Sequence, residues 1–255
     1  MIDFFNYLEV NNWLLVIFCC LAGYLPGSVS FARLINFSIT RTTRMEGWAE
    51  PVPHSEEVFE SDLVSATLIA KKLGPRYGCA TSLLDMMKVI VPTLLVKLLI
   101  TGQPWFLLTA LFGIIGHNYP VWYRFKGGRG ESPILGALLV INWFGIFIVN
   151  IAGAILGFIT GSVLVMRWSG YILMILWYWI YFKDWRFVGF MILANLIFWV
   201  SMRRDLARFL ELKKVKGLTF TEEDVSEFIF MGKKPGRFLD RYSLYSSFKK
   251  MNSRK

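Results

Sequence analysis

Gly116 to Gly130, GHNYPVWYRFKGGRG, is the stretch whose reading decides the rest. It starts at the end of one apolar run and finishes in a glycine-rich turn carrying Arg124, Lys126 and Arg129. A second apolar run follows directly. Glycines let a backbone turn its N–H groups toward one point, and flanking cations favour an anion there. Beside apolar runs, such a turn reads as a phosphate binder at a membrane surface. It reads equally as a positively charged cytoplasmic turn that only fixes topology. The turn alone leaves both open.

Working outward, the composition settles the class. Of 255 residues, 55% are hydrophobic, and the mean hydropathy is +0.48. That is too apolar for an ordinary soluble domain. The net charge is +10, yet charge is scarce through the middle of the chain. Apolar runs therefore belong in lipid, with basic residues in loops and at the C-terminal end. Cys19, Cys20 and Cys79 lie in or beside apolar runs, so they form no disulfide framework and read as packing residues. With only His54 and His117, and no cysteine pair at ligand spacing, no metal is expected.

The apolar runs give an all-α integral membrane protein. Asn12 to Ile35 is the first span, followed by Cys79 to Ile100 and Pro104 to Tyr123. The start of the chain lacks the positive region of a signal peptide, with Asp3 and Glu9 its only charges. GYLPGSVSFA, at the end of the first span, reads as a broken or closely packed helix. Residues 133–166 are too many for one crossing of ~20 residues, and they split near Asn142 to Gly145, with Arg167 ending the pair. Ser169 to Phe182 and Trp185 to Met202 complete seven crossings, separated by the turn KDW at Lys183 to Trp185.

Basic residues then fall on one side, in 36–78, 123–132, the turn at Arg167 and the tail from Arg203. The positive-inside rule makes that side cytoplasmic, with the C-terminus inside and the N-terminus outside. Trp105, Trp122, Trp168 and Trp185 sit at span ends as an aromatic belt. Arg41 to Glu57 reads as a surface loop, and Ser61 to Leu73 as a short helix with Ser61 its N-cap. Asp85 and Lys88 share a helix face three apart and can pair. A structural ion pair near the interface comes first, a part in positioning anions second. The tail opens with RRDLARFLELKKVKG, a basic amphipathic segment suited to anionic lipid rather than nucleic acid.

GHNYPVWYRFKGGRG resembles the signature GHxxPxFxxFKGGKG of the acyl-phosphate-dependent glycerol-3-phosphate acyltransferases, the PlsY family. GYLPGSVSFARLI is similar to that family's GYLxGSIPFGxLI. LGPRYGCATSLLDMMKVIVPTLL runs without gaps along its LGKKxGxxxxxLDxLKGxxPxLL. The resemblance covers roughly residues 14–210, leaving an insertion around 37–57 and a basic cytoplasmic tail, 211–255, appended to a membrane domain of residues 1–210. It implies seven membrane helices with cytoplasmic active-site loops in the cell inner membrane. It also implies acyl transfer from acyl phosphate to glycerol 3-phosphate or a related phosphorylated acceptor, by a monomer in contact with membrane lipids, without cofactor or metal. Acyl phosphate is already activated, so such an enzyme mainly holds two anions and aligns a hydroxyl.

Carried residue by residue, the resemblance is uneven. The family's GSGNxGATNxxR aligns with Glu60 to Lys71, ESDLVSATLIAK. This keeps the functional serine as Ser61 and turns the arginine into Lys71, which lacks a bidentate fork. Catalytic roles are implied for Ser61, Lys71 and Arg129. Phosphate contacts are implied for Lys126, Gly127, Gly128, Gly130, His117 and Asn118. The third motif, HRENxxRLL, aligns with Met202 to Leu210, placing Met202 at its histidine and Asp205 at its asparagine. A methionine cannot donate to phosphate, and an aspartate repels it. Three functions are therefore open: an acyltransferase with a rearranged site, a family fold that binds without catalysing, and an unrelated transporter or scaffold.

Overall fold

The structure is a computed structural model that describes residues 12–42, 45, 47–52, 55–215, 217–228 and 232–247. Asp3, Glu9, His54 and the last stretch of the tail lie outside the described residues. Helices dominate: α1 (Asn12–Gly27), α2 (Phe31–Thr40), α3 (Ala66–Leu73), α4 (Pro75–Leu99), α5 (Phe106–Asn118), α6 (Glu131–Thr160), α7 (Val163–Phe182), α8 (Trp185–Leu210), α9 (Glu222–Phe228) and α10 (Lys233–Tyr242). Among the described residues, four stretches are long and apolar enough to cross a membrane: Trp13–Thr40, Glu131–Thr160, Val163–Phe182 and Trp185–Lys214. The α4 helix fits the same medium by its faces. Leu83, Met87, Leu94 and Leu98 are exposed along it while Asp85 and Lys88 are buried, the reverse of a helix facing water.

The chain divides into two compact units. One comprises residues up to Trp48, Asp62–Trp143 and Phe182–Met202; the other comprises Ala49–Ser61, Phe144–Tyr181 and Arg203 onward.

In the first unit, small residues allow α1 to lie directly on α5. A Cβ added to Gly23 would stand 2.0 Å from the Thr109 carbonyl oxygen, one on Gly27 2.4 Å from that of Gly113, and one on Gly116 2.4 Å from that of Tyr24. This is the close backbone approach that small residues permit between membrane helices. The first span is broken where GYLPGSVSFA suggested. Pro26 sits inside α1, and the chain leaves helix before Phe31. The long run after the glycine turn is split at Asn142, whose φ of −157° and ψ of 82° interrupt α6.

Four expectations are corrected. Arg167 does not end a helix pair: the break falls at Gly161, at φ +67°, and Arg167 lies inside α7. Ser61 does not cap a helix. It ends strand β2 (Val58–Ser61), paired with β1 (Trp48–Pro51), so the 41–57 segment contributes to a two-stranded sheet and the fold is not purely α. The cap of α3 is Ser65, which accepts the Leu68 N–H. Serine supports either role, and the strand wins because Val58 and Phe59 supply β-prone residues beside a buried face. Finally, Cys79 is exposed rather than packed, whereas Cys19 is buried.

The second unit shows that the tail folds. Glu222 accepts the Val163 N–H at 2.6 Å, capping α7. Burial pushes the Glu222 carboxyl above its ordinary range. Phe59 stacks on Phe228 with ring centroids 5.2 Å apart. Asp240 accepts the N–H groups of Glu222 and Glu223, joining α10 to α9.

The glycine contacts generate a test. Gly27→Leu should overpack the α1–α5 contact and cost about 1–3 kcal/mol or more. In detergent this should appear as a fall of several degrees in apparent Tm; an unchanged Tm would contradict the packing described.

Candidate active site

The glycine turn is built by folding back onto the helix that precedes it. α5 ends at His117 and Asn118, Pro120 stops it, and a short 3-10 turn, Val121–Tyr123, follows. Arg124 and Phe125 then take φ of 52° and 59°, a left-handed region that costs a side-chain-bearing residue energy. The Pro120 carbonyl collects the N–H groups of Tyr123 and Phe125, and the Tyr123 carbonyl that of Lys126. So reversed, the chain passes His117 closely enough for the Gly128 N–H to donate to its carbonyl at 3.2 Å.

Each glycine is required by what it meets. A Cβ on Gly127 would lie 2.1 Å from the His117 carbonyl oxygen, and one on Gly128 2.3 Å from His117 Nε2. One on Gly130, where φ is +89°, would lie 2.6 Å from Asn118 Oδ1. The expectation that three glycine amides face a ligand is therefore reduced. Gly128 spends its amide on His117. Among the described residues no acceptor sits on the N–H of Gly127 or Gly130. Gly130 leads straight into α6, so these amides stand at the positive end of a helix dipole. Arg129 is buried, whereas Lys126 and Arg124 are exposed.

His117 and Asn118 hold this turn from beneath. Asn118 Nδ2 donates to the Arg129 carbonyl at 3.3 Å and to Ser201 Oγ at 2.8 Å. Its donors are thus committed, and its Oδ1 is buried with no partner among the described residues. An orphaned acceptor suits a hydroxyl, not a phosphate oxygen. His117 Nδ1 lies 3.5 Å from Asp85 Oδ1, and Lys88 Nζ lies 2.8 Å from the same oxygen. The i,i+3 pair is thus present and almost fully buried. Lys88 also donates to the Val29 carbonyl at 2.6 Å. The pair thereby ties α4 to the break between α1 and α2. These groups line a cavity of about 10 Å³ with Ser28, Ser30, Gly127 and Gly128, room for about one water. Asp85 and Lys88 gave a spacing signal, but their place under the glycine turn had none. Nothing local in sequence joins residues 85 and 117.

Arg33 secures the outer side of the turn. Its Nη2 donates to the Lys126 carbonyl at 3.2 Å, and its guanidinium lies 4.7 Å from the centre of the Tyr123 ring. Lys71 holds its ammonium 3.9 Å from the centre of the Trp48 ring, a cation–π contact. Met202 is buried within α8.

In the second unit, Ser61 and Asp205 meet. Ser61 Oγ donates to the Asp205 carboxylate at 3.1 and 3.3 Å, and both side chains are buried. Arg208, one turn on, reaches Glu57 at 3.3 Å and the Val58 carbonyl at 3.1 Å. Strand β2 is fastened to the end of α8 by these two contacts.

With this geometry in place, the comparison with known proteins is decisive. A family model described as glycerol-3-phosphate acyltransferase matches residues 57–212, more than half of the chain. The chain belongs to the glycerol-3-phosphate acyltransferase family. A glycerol-3-phosphate acyltransferase of Anaeromyxobacter sp. (strain Fw109-5) is 36% identical over 126 residues, 48% of this chain and 56% of that protein. One from Legionella pneumophila (strain Corby) is 34% identical over 131 residues, 51% of this chain and 42% of that protein. The chain thus spans about half the length of the curated relatives it matches. Among solved structures, PlsY, an integral membrane glycerol 3-phosphate acyltransferase crystallised in its glycerol 3-phosphate form, superposes with a TM-score of 0.59 at 23% identity. That match covers 76% of this chain and 92% of that one. The likeness carries the membrane fold shared within the family.

The buried ion pair yields a prediction. Lys88→Met leaves Asp85 uncompensated and should cost about 3–5 kcal/mol, while adding Asp85→Asn should recover much of the loss. Thermal unfolding of the three proteins in detergent checks this. Equal stability of Lys88→Met and the parent would refute the pairing.

Proposed function

We propose that this chain is a membrane acyltransferase that moves an acyl group from acyl phosphate to glycerol 3-phosphate or a related phosphorylated acceptor, giving lysophosphatidic acid for phospholipid synthesis. The acceptor hydroxyl attacks the acyl carbonyl carbon, the bond from that carbon to the phosphate oxygen breaks, and the departing phosphate takes up the hydroxyl proton. Family membership supports the reading. The observation that carries it is the turn at 127–130, whose Gly127 and Gly130 amides have no acceptor among the described residues and lie at a helix N-terminus, with Arg129 between them in sequence. Oriented donors at a developing phosphate charge are what this chemistry needs. In this reading Lys126 and Arg129 supply positive charge, and Asn118 Oδ1 receives a hydroxyl. Ser61 and Lys71 act from the first motif, and His117 and Gly128 support the turn. No metal or nucleotide has a part in the step.

The same reading places seven crossings in the cell inner membrane, with the N-terminus outside, the C-terminus cytoplasmic and the chain a monomer. Residues 1–210 form the membrane domain, and 211–255 the appended tail. Clustered basic residues on the side of the glycine turn support that orientation.

One observation favours a second function. Ser61 gives its hydroxyl to Asp205, and Lys71 rests on Trp48, so first-motif groups are engaged within the protein. A family fold that binds a lipid or phosphorylated ligand without turnover has these features.

Purified protein given acyl phosphate and labelled glycerol 3-phosphate separates the two. Lysophosphatidate should form, and Arg129→Ala and Ser61→Ala should each lower kcat by about 10²–10³, the usual loss for one stabilising donor. No product from any of several phosphorylated acceptors, with saturable binding retained, would establish the second function instead.

A further inference from the structure

We infer that α10 and residues 243–247 form an interfacial anchor that rests on the anionic headgroup layer of the bilayer. The inference goes beyond the acyltransferase reading, and it rests only on α6 and α7 as membrane helices. The tail is fixed to the turn between those helices. Gly161, in that turn, is so close to the tail that an added Cβ would stand 2.9 Å from Ser243 Oγ and 3.1 Å from Tyr245 Cβ. Phe158, in the last turn of α6, packs on Phe238 with ring centroids 6.3 Å apart. The Glu222 carboxylate caps the start of α7. Residues 238–245 are therefore held where two apolar helices reach the edge of the hydrocarbon.

The exposed side of α10 matches that depth. Gly236, Leu239 and Ser243 are buried toward the protein. The opposite side carries Lys234, Arg237, Phe238, Arg241 and Tyr242 at three- and four-residue spacing. Phe238 is 52% exposed, Tyr242 53% and Tyr245 60%. Large rings left open at a helix–turn–helix end, beside cations, have the composition of an interfacial belt on anionic lipid. Arg237 is paired with Glu223 at 2.7 Å; Lys234 and Arg241 are exposed on the same side, Arg241 5.4 Å from the centre of the Tyr242 ring, and are the cations assigned to the headgroups. A water-facing surface would gain nothing from these rings, and the lipid is already adjacent.

The test uses the full chain in lipid nanodiscs. A nitroxide is introduced at position 242 or 245 through an encoded non-natural amino acid, leaving the three native cysteines in place. Collision with oxygen, which partitions into lipid, is compared with collision with a water-soluble nickel chelate. In discs rich in phosphatidylglycerol both labels should favour oxygen several-fold over the chelate. The preference should fall in phosphatidylcholine discs and in the double variant Lys234→Glu, Arg241→Glu. Either label alone suffices if the other disturbs folding. Aqueous behaviour at both positions would overturn the anchor. So would equal depth in neutral and anionic discs, and so would shielding from both reagents, the signature of a protein partner or a second copy.

Discussion

A single carbonyl, that of His117, organises the polar end of the first unit. It is among the last groups of α5, so it has no partner further along its own helix, and the returning chain supplies one in the Gly128 N–H. The contact is possible only because residues 127, 128 and 130 carry no side chain, since each would strike His117 or Asn118. The glycines are therefore needed first for packing. What they leave over, the amides of Gly127 and Gly130 at the start of α6, is the material for an anion site. In the proposed function, this one piece of backbone serves both as a helix cap and as a phosphate loop.

Beneath that contact the membrane setting decides the rest. Asp85 and Lys88 are costly in an apolar surrounding unless each satisfies the other and finds further hydrogen bonds. Lys88 does so through the Val29 carbonyl, and the His117 ring lies beside Asp85, with Nδ1 3.5 Å from its Oδ1. The pair consequently binds three segments, α4, the α1–α2 break and the end of α5, into one foundation for the turn. The cavity left between them has room for about a single water.

Much of this could be read in the sequence, for reasons tied to particular residues. Run lengths located the break at Asn142, because a stretch longer than a bilayer crossing has to bend somewhere. Spacing placed Asp85 against Lys88. The motif GHNYPVWYRFKGGRG named the turn, although three glycines suggested three free donors and one is used internally. The hairpin around 48–61 was hidden in a polar, proline-containing segment with no alternation long enough to announce strands. Ser61 misled because a serine before a helical pattern is as good a cap as a strand end. The folded tail was also hidden, since its partners Val163, Phe158 and Phe59 lie far away in sequence.

The amide signals of the turn give the most direct check on this account. Protein labelled with ¹⁵N-glycine, held in detergent, would be titrated with glycerol 3-phosphate while the Gly127, Gly128 and Gly130 resonances are followed. The account predicts saturable downfield shifts of the Gly127 and Gly130 amide protons, with Gly128 held in place by its bond to His117. Absence of any shift at Gly127 and Gly130 under saturating ligand, or a shift at Gly128 alone, would contradict it.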